Sequence, residues 1–168
     1  MDIRLASAAD LPRLHPVIER AYRGDSARAS WATESAPPAS PRTSIPALEA
    51  ILASPAERLL VALGQDAAPV GCVQISDRGG NRAYLGLLCI DAGLQSGGLG
   101  SRLVAAAERL AVQAFGARIM EMTVIASHER LIGYYQRRGY QPTGERRPYP
   151  VTLDPPCEML VLAKALAA

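Results

Sequence analysis

The sequence feature that most constrains the fold is a glycine-rich turn between an apolar run and the most regular amphipathic segment. Residues 83–90 are apolar in nearly every position, which predicts a central strand covered on both faces. After the turn, apolar side chains recur at helical spacing until Gly116, which is placed to end a helix. A buried strand that leads through glycines into a long helix predicts a domain that mixes strands and helices.

Hydrophobic periodicity predicts further strands and helices on either side of this unit. Residues 2–6 predict a strand, and Ser7 and Asp10 predict a capping box that precedes a helix. Further strands are predicted over 58–63, 70–76, 117–126 and 157–164, and further helices after Ser44 and over 128–138. The proline-rich segment 140–156 predicts loop with at most a short strand. The expected architecture is α/β (α+β): one domain over residues 1–168, with a mixed, mostly antiparallel sheet and helices on both faces.

Composition excludes several classes of protein. The 18 basic and 16 acidic residues leave a net charge of +2, which gives no reason to expect nucleic acid or an anionic membrane as partner. No apolar run approaches the length of a membrane span, and the N-terminus lacks the pattern of a signal peptide. Three widely spaced cysteines have no metal-ligand spacing, so we expect no metal site and a reducing, cytoplasmic location.

The glycine-rich turn, Ile90 to Ser101, is where an anion is expected to bind. Glycines allow close approach to the backbone, and the first N–H groups of the following helix lack internal partners. The turn is not a Walker loop, because no Lys follows its glycines, and it lacks the third glycine of the dinucleotide fingerprint. It does match the pattern Gln-x-x-Gly-x-Gly, from Gln95 to Gly100.

Two segments together carry a resemblance to a known family. Residues 95–100 resemble the acetyl-CoA pyrophosphate loop of the GNAT superfamily of N-acetyltransferases. Residues 128–140 resemble the GNAT segment Asn-x-x-Ala-x-x-Phe/Tyr-Tyr-x-x-x-Gly-Phe/Tyr, with matches at Tyr134, Tyr135, Gly139 and Tyr140. The order of predicted elements also agrees with the GNAT fold. His128 departs from the pattern, because the family often has Asn there.

The resemblance implies an N-acetyltransferase that moves an acetyl group from acetyl-CoA, its cosubstrate, to a primary amine by direct attack in a ternary complex. Tyr135 matches the general acid that protonates the CoA thiolate. The backbone at Cys89 and Ile90 would pair with the pantetheine arm and help to stabilise an oxyanion. The residues that would hold the pyrophosphate are Gln95, Ser96, Gly97, Gly98, Leu99, Gly100 and Ser101, with Arg102 in reach of a CoA phosphate.

The general base is less well marked by the sequence. Glu34 is the leading candidate, because Trp31 beside it would suit a cationic amine, although the sequence fits a solvated Glu34 beside an anchoring Trp slightly better. Glu121, on the strand before the Tyr135 helix, and His128 are alternatives. Residues 23–45 and 144–156 are expected to shape the acceptor site, which would take a small-molecule or peptide amine.

Two other hypotheses remain open at this stage. The chain is alternatively a GNAT-fold acyl-CoA-binding or interaction protein without catalysis, which His128 and the unassigned base allow. It is also alternatively a nucleotide-binding α/β protein that carries the glycine pattern by chance. Homodimerisation is a further expectation by analogy with the superfamily.

Overall fold

The structure, a computed structural model, describes residues 1–24, 40–95, 97–153 and 155–167. Within these residues the chain forms a seven-stranded sheet in the order β1-β2-β3-β4-β5-β7-β6. The β4–β5 pair is parallel, and every other pair in this part of the chain is antiparallel. The strands are β1 (Asp2–Leu5), β2 (Glu57–Leu63), β3 (Pro69–Gly79), β4 (Arg82–Ile90), β5 (Ile119–Ile125), β6 (Gln141–Pro148) and β7 (Glu158–Ala165).

Four α-helices within the described residues cover the two faces of the sheet. One face packs against α1 (Leu11–Arg23) and α2 (Ile45–Ala53), which bury the apolar stripe Leu11, Leu14, Val17, Ile18 and Leu48. The other packs against α3 (Leu99–Phe115) and α4 (Glu129–Gln136), whose buried residues join those of β5 and β7. The predicted mostly antiparallel sheet with helices on both faces is therefore confirmed.

The segment 140–156 is the clearest correction to the sequence prediction, because most of its first half is a strand and not loop. β6 pairs with β7 despite Pro142, Gly144 and Pro148. It lies at the edge of the sheet, where a proline removes no ladder hydrogen bond. A bulge between Pro142 and Arg146 absorbs the irregularity. Smaller corrections are that β3 extends three residues further, to Gly79, and that β5 begins at Ile119.

A second bulge interrupts β4 and reverses the direction of its side chains. Cys72 pairs with Cys89 and Gln74 with Gly86, so β4 advances three residues where β3 advances two. Leu87 absorbs the extra residue in a left-handed conformation with φ of 51°. As a result Leu85 packs on the α3 face, whereas Leu87 packs on the α1 face.

The sheet splits between β4 and β5. Backbone pairing is limited to Arg82–Tyr84 of β4 with Ile119–Glu121 of β5. β4 runs on to Ile90 beside β3, and β5 runs on to Ile125 beside β7. We call the gap between residues 85–90 and residues 122–125 the wedge. Its walls are the edges of two strands whose ladder partners lie only on the far side.

The described helices include none that is both long and apolar enough to cross a membrane.

Candidate functional site

The glycine-rich turn places a helix N-terminus at the end of β4, beside the wedge. Asp91 begins the turn, and its carboxylate accepts a hydrogen bond from the Gly93 N–H at 3.2 Å. Gly98 precedes α3 in a left-handed conformation with φ of +79°, which a residue with a β-carbon rarely adopts. The Arg102 N–H bonds to the Gly98 carbonyl at 3.2 Å, so the N–H groups before it lack helical acceptors. With no carboxylate in the first turn, this end of α3 is chemically suited to a phosphate.

Gly100 allows α4 to approach the first turn of α3. A β-carbon at Gly100 would lie 2.6 Å from the Tyr134 hydroxyl oxygen and 3.0 Å from the Ile90 side chain. Only a residue without a side chain fits between them. The glycine at this position therefore serves packing between helices, in addition to any approach of a ligand to the backbone.

Arg138 brings a positive charge to the same helix end. Its guanidinium lies 3.4 Å from the centre of the Tyr134 ring and donates from Nε to the Ser101 hydroxyl at 2.8 Å. A second guanidinium nitrogen also donates to Ser101, and a third donates to the Tyr134 carbonyl at 2.8 Å. Arg138 forms no ion pair with a described residue. The geometry thus adds a cation that the sequence analysis did not single out.

The other residues predicted for the cofactor loop occupy different positions. Arg102 turns away toward the N-terminus, where it donates to the Met1 carbonyl at 3.0 Å. Leu99 buries its side chain in the core, so only its backbone faces the turn. Gln95 and Gly97 are exposed at the surface of the turn, and Ser96 lies outside the described residues.

Tyr135 lies in the core between α4 and the sheet, with 5% of its surface exposed. Its ring meets the rings of Tyr134 and Tyr140 edge-on, at centroid distances of 5.3 and 6.0 Å. Burial raises the pKa of its phenol above the ordinary value, and the neighbouring Tyr134 and Tyr84 hydroxyls add to the rise. Among the described residues none forms a hydrogen bond with the Tyr135 hydroxyl. The phenol therefore stays protonated at neutral pH and keeps its proton available for another acceptor.

His128 caps α4 in the position where the GNAT pattern has Asn. Its Nδ1 accepts a hydrogen bond from the Leu131 N–H at 3.3 Å. Burial lowers the pKa of the imidazole, which favours the neutral form that this acceptor role needs. The His128 side chain thus caps the helix as an Asn would, so α4 keeps its N-terminal cap despite the departure from the pattern.

The closed end of the wedge carries polar groups from both strands. The Tyr84 hydroxyl and the Thr123 hydroxyl lie 2.6 Å apart and bridge β4, at its last backbone pair with β5, to the first residues of β5 beyond that pair. Glu121, the alternative general base, forms an ion pair with Arg82 and has 16% of its side chain exposed. Glu121 therefore already has a cationic partner, which favours a structural role.

The bulge of β4 is held from the α1 side. The Tyr22 hydroxyl donates to the Leu88 carbonyl at 2.8 Å. Beside it, the Cys72 and Cys89 sulfurs lie 3.5 Å apart as buried free thiols. The hydrogen bond to Cys89 and burial both raise the pKa of Cys72. These thiols are core residues, as the apolar runs around them predict.

The sequence analysis left four residues of this region unassigned: Tyr22, Tyr84, Thr123 and Arg138. Only Arg138 carried a usable sequence signal, because position i+4 from Tyr134 places the two side chains on one helix face. The other three come together through pairing between distant strands and helices. Glu34 and Trp31, the leading candidates for the base and its aromatic neighbour, lie outside the described residues.

Comparisons with known proteins agree with this geometry. A family model described as "Acetyltransferase (GNAT) family" matches residues 26–140, which is more than half of the chain. The chain belongs to the GNAT acetyltransferase family. Residues 26–140 include the glycine-rich turn, the wedge and the segment that carries Tyr135. A comparison with curated proteins finds no match.

Solved structures show the GNAT fold over the whole chain. The protein smu.2055 from Streptococcus mutans UA159 is 17% identical with a TM-score of 0.76, over 99% of this chain and 100% of that one. The ribosomal-protein-S18-alanine N-acetyltransferase from Escherichia coli is 18% identical with a TM-score of 0.75, over 99% and 94%. An aminoglycoside 6'-acetyltransferase type Ii is 18% identical with a TM-score of 0.72, over 100% and 99%. At these identities the likeness establishes the fold of this GNAT chain and leaves the acceptor open.

Among the described residues of this GNAT chain, no group of three or more His, Cys, Asp or Glu side chains is arranged to hold a metal ion.

Proposed function

We propose that this GNAT protein is an N-acetyltransferase that transfers the acetyl group of acetyl-CoA to a primary amine. The observation that carries the proposal is that the glycine-rich turn directly follows β4, one edge of the wedge, and that the Tyr135 phenol interacts electrostatically with Tyr84 and Tyr22, whose hydroxyls contact the two strands there. The wedge has unpaired strand edges, and the turn has a free helix N-terminus. An extended amide-bearing arm that ends in a pyrophosphate is complementary to both.

Different groups of the chain are proposed to bind the phosphates and the pantetheine arm of acetyl-CoA. The N–H groups from Leu99 to Ser101 and the Arg138 guanidinium are proposed to hold the phosphates, because both present positive charge at the end of β4. The backbone from Cys89 to Ile90 is proposed to pair with the pantetheine arm. When bound, acetyl-CoA supplies a thioester that an amine can attack without further activation.

Tyr135 is proposed as the general acid of the transfer. The new bond joins the amine nitrogen to the acetyl carbon, and the bond that breaks joins that carbon to the CoA sulfur. The amine proton leaves to Glu34 or to water, and the Tyr135 phenol gives its proton to the departing thiolate. Its raised pKa keeps the phenol protonated over the whole physiological range, so the proton is present whenever the thiolate forms.

A cytoplasmic location is part of the same proposal. Cys72, Cys89 and Cys157 are all free thiols, which is typical of proteins in a reducing compartment.

Thermal unfolding with and without acetyl-CoA tests the cofactor directly, with ATP and NAD as controls. A ligand at 100 times its Kd adds about 2.7 kcal/mol of stability. For a chain of this size that corresponds to a rise in Tm of roughly 5–11 °C. A rise with acetyl-CoA alone supports the proposal, whereas no rise in a folded sample would contradict it.

Release of CoA thiol separates the enzyme from the noncatalytic alternative. An acetyltransferase releases thiol in proportion to added amine. A GNAT-fold protein that only binds acyl-CoA shows the thermal shift without amine-dependent release.

A further inference from the structure

Contacts with α1 fix the backbone of Arg42, which lies three residues before the start of α2. The Glu19 carboxylate accepts hydrogen bonds from the N–H groups of Arg42, at 2.9 Å, and Thr43, at 3.2 Å. The Thr43 carbonyl oxygen lies 3.1 Å from Nε2 of His15, one turn before Glu19 on α1. Three contacts therefore hold this short stretch of backbone, so the start of the Arg42 side chain is well defined.

The Arg42 guanidinium lies over a tyrosine whose hydroxyl contacts the β4 edge of the wedge. It lies 4.8 Å from the centre of the Tyr22 ring, and the Tyr22 hydroxyl donates to Leu88 in the bulge of β4. Burial raises the pKa of Tyr22, and the Arg42 charge opposes that rise. The same charge opposes the rise in the pKa of Cys72, on the neighbouring strand. Arg42 thus lies on the α1 face of the sheet. Only the Tyr22 ring separates its guanidinium from β4, the strand proposed to hold the acetyl donor.

Arg42 has no anionic partner among the described residues. Its guanidinium donates no hydrogen bond to them and forms no ion pair with them. Several described carboxylates on this side of the sheet already have partners. The pairs are Arg20 with Asp91, Arg82 with Glu121, and Arg147 with Glu145, while Glu19 holds the two N–H groups described above.

A half-buried guanidinium without an anion is costly unless a ligand supplies the negative charge. The Tyr22 ring offsets part of this cost through a cation–π contact and also keeps the guanidinium plane in place. The planar group that matches a guanidinium through two parallel hydrogen bonds is a carboxylate.

We propose that Arg42 binds a carboxylate of the acceptor, so that the acceptor is a small primary amine that also carries a carboxylate, such as an amino acid. The inference rests on the proposed acetyl transfer, since it names the acceptor for the same wedge. It also implies that amines carrying only positive charge are poor acceptors, because the Arg42 charge, which no described carboxylate neutralises, repels them.

Matched acceptor pairs test this inference. Each pair joins an amino acid to the amine that lacks its carboxylate, for example phenylalanine with phenethylamine and 4-aminobutyrate with butylamine. Thiol release gives kcat/KM for each member. We expect at least one pair in which the carboxylate raises kcat/KM by about 10- to 100-fold, the usual worth of a hydrogen bond between charged groups. Equal values within every pair would overturn the inference and leave the proposed transfer intact.

Variants assign the effect to Arg42. In R42Q the preference within a pair should fall toward one, mainly through a higher KM for the amino acid. R42K, which keeps the charge without the planar fork, should retain part of it. The matched control is R23Q, because the Arg23 guanidinium is engaged with the Ser40 carbonyl at 3.0 Å and the Tyr22 carbonyl at 3.2 Å. A preference that survives R42Q, or that R23Q abolishes equally, contradicts the assignment.

A binding measurement keeps the two proposals distinguishable. Calorimetric titration of the CoA-bound protein with N-acetylphenylalanine, the product of one pair, reports carboxylate binding without any turnover. If no amine is acetylated, the proposed function fails. In that case binding that R42Q weakens about tenfold or more still supports the carboxylate site, and the absence of binding overturns it.

Discussion

At the scale of single residues, two tyrosines on consecutive positions of α4 have separate tasks. Tyr134 points to the first turn of α3, where its hydroxyl meets Gly100 and its ring supports Arg138. Tyr135 lies about 100° further round the helix and is buried against the sheet. The sequence identifies both as aromatic positions of the GNAT pattern. Which of them approaches the sheet and which approaches the glycine-rich turn follows only from how α4 packs.

Replacing Tyr135 by Phe tests its proposed role as general acid. We expect kcat to fall by about 10²- to 10⁴-fold, the typical contribution of a positioned acid, with Tm nearly unchanged because the ring stays. In the wild type, the raised pKa of the phenol predicts no loss of rate from Tyr135 ionisation below about pH 10. A steady-state pH profile of both proteins checks this. Near-wild-type kcat for Y135F at every pH would exclude the role.

Arg138 should affect the donor and not the acceptor. R138Q removes the cation beside the first turn of α3, so KM for acetyl-CoA should rise about tenfold while KM for the amine changes little. R137Q is the control, since Arg137 is the exposed neighbour on the same helix end. The outcome against this role is equal donor KM in the two variants. The sequence shows two adjacent arginines and cannot tell which one reaches α3. The packing of α4 on α3 shows that it is Arg138.

At the scale of elements, most helices and strands follow from local patterns, and the exceptions have tertiary causes. The helix that ends at Gly116 and the cap at Ser44 are as predicted, since both depend on residues within one or two turns. β6 was predicted as at most a short strand because its prolines favour loop; they are tolerated at the edge of a sheet, and edge position is a property of the whole sheet. The β4 bulge was missed although Gly86 lies beside it, because one glycine within an apolar run does not show where an extra residue is inserted. Leu87 takes the left-handed conformation only under the pairing imposed by β3.

The cap of α4 gives a prediction that depends on pH. H128A should lower the stability by about 1 kcal/mol at pH 8, and H128N should restore most of that loss. The folded protein lowers the pKa of His128, so it favours the neutral form. The stabilisation is therefore full above the unfolded pKa, near 6.5, and is lost as pH falls through the folded value. Urea titrations of both variants at pH 8 and pH 5 measure this difference. A cost of H128A that is equal at the two pH values contradicts the neutral cap.

At the scale of the whole molecule, three backbone pairs between β4 and β5 connect the two parts of the sheet. The strands β1 to β4 form one antiparallel part, and β5, β7 and β6 form another. The order of elements and the glycine-rich turn made this family assignable from sequence. The opening of the wedge did not follow from any single segment, because it results from the different directions that β4 and β5 take beyond Tyr84.

Hydrogen exchange would show whether the donor occupies the wedge. If its amide-bearing arm pairs with the strand edge, acetyl-CoA should slow exchange of amides in residues 85–90 more than in residues 60–63 of β2, which are paired on both sides. Protection confined to the glycine-rich turn would instead mean that only the phosphates are held.

The extra residue at Leu87 lowers the stability of the β3–β4 hairpin and at the same time sets the side-chain directions that the site needs. A left-handed conformation at a leucine costs roughly 1–2 kcal/mol, and the bulge also interrupts a ladder that would otherwise be regular. A chain with one residue fewer in β4 should therefore form a more regular hairpin with β3. It would also reverse every side chain beyond that point, so Leu88 and Ile90 would exchange faces with Cys89. Such a deletion should therefore make the hairpin ladder regular and still destabilise the fold and abolish the site, because it places these side chains on the wrong faces.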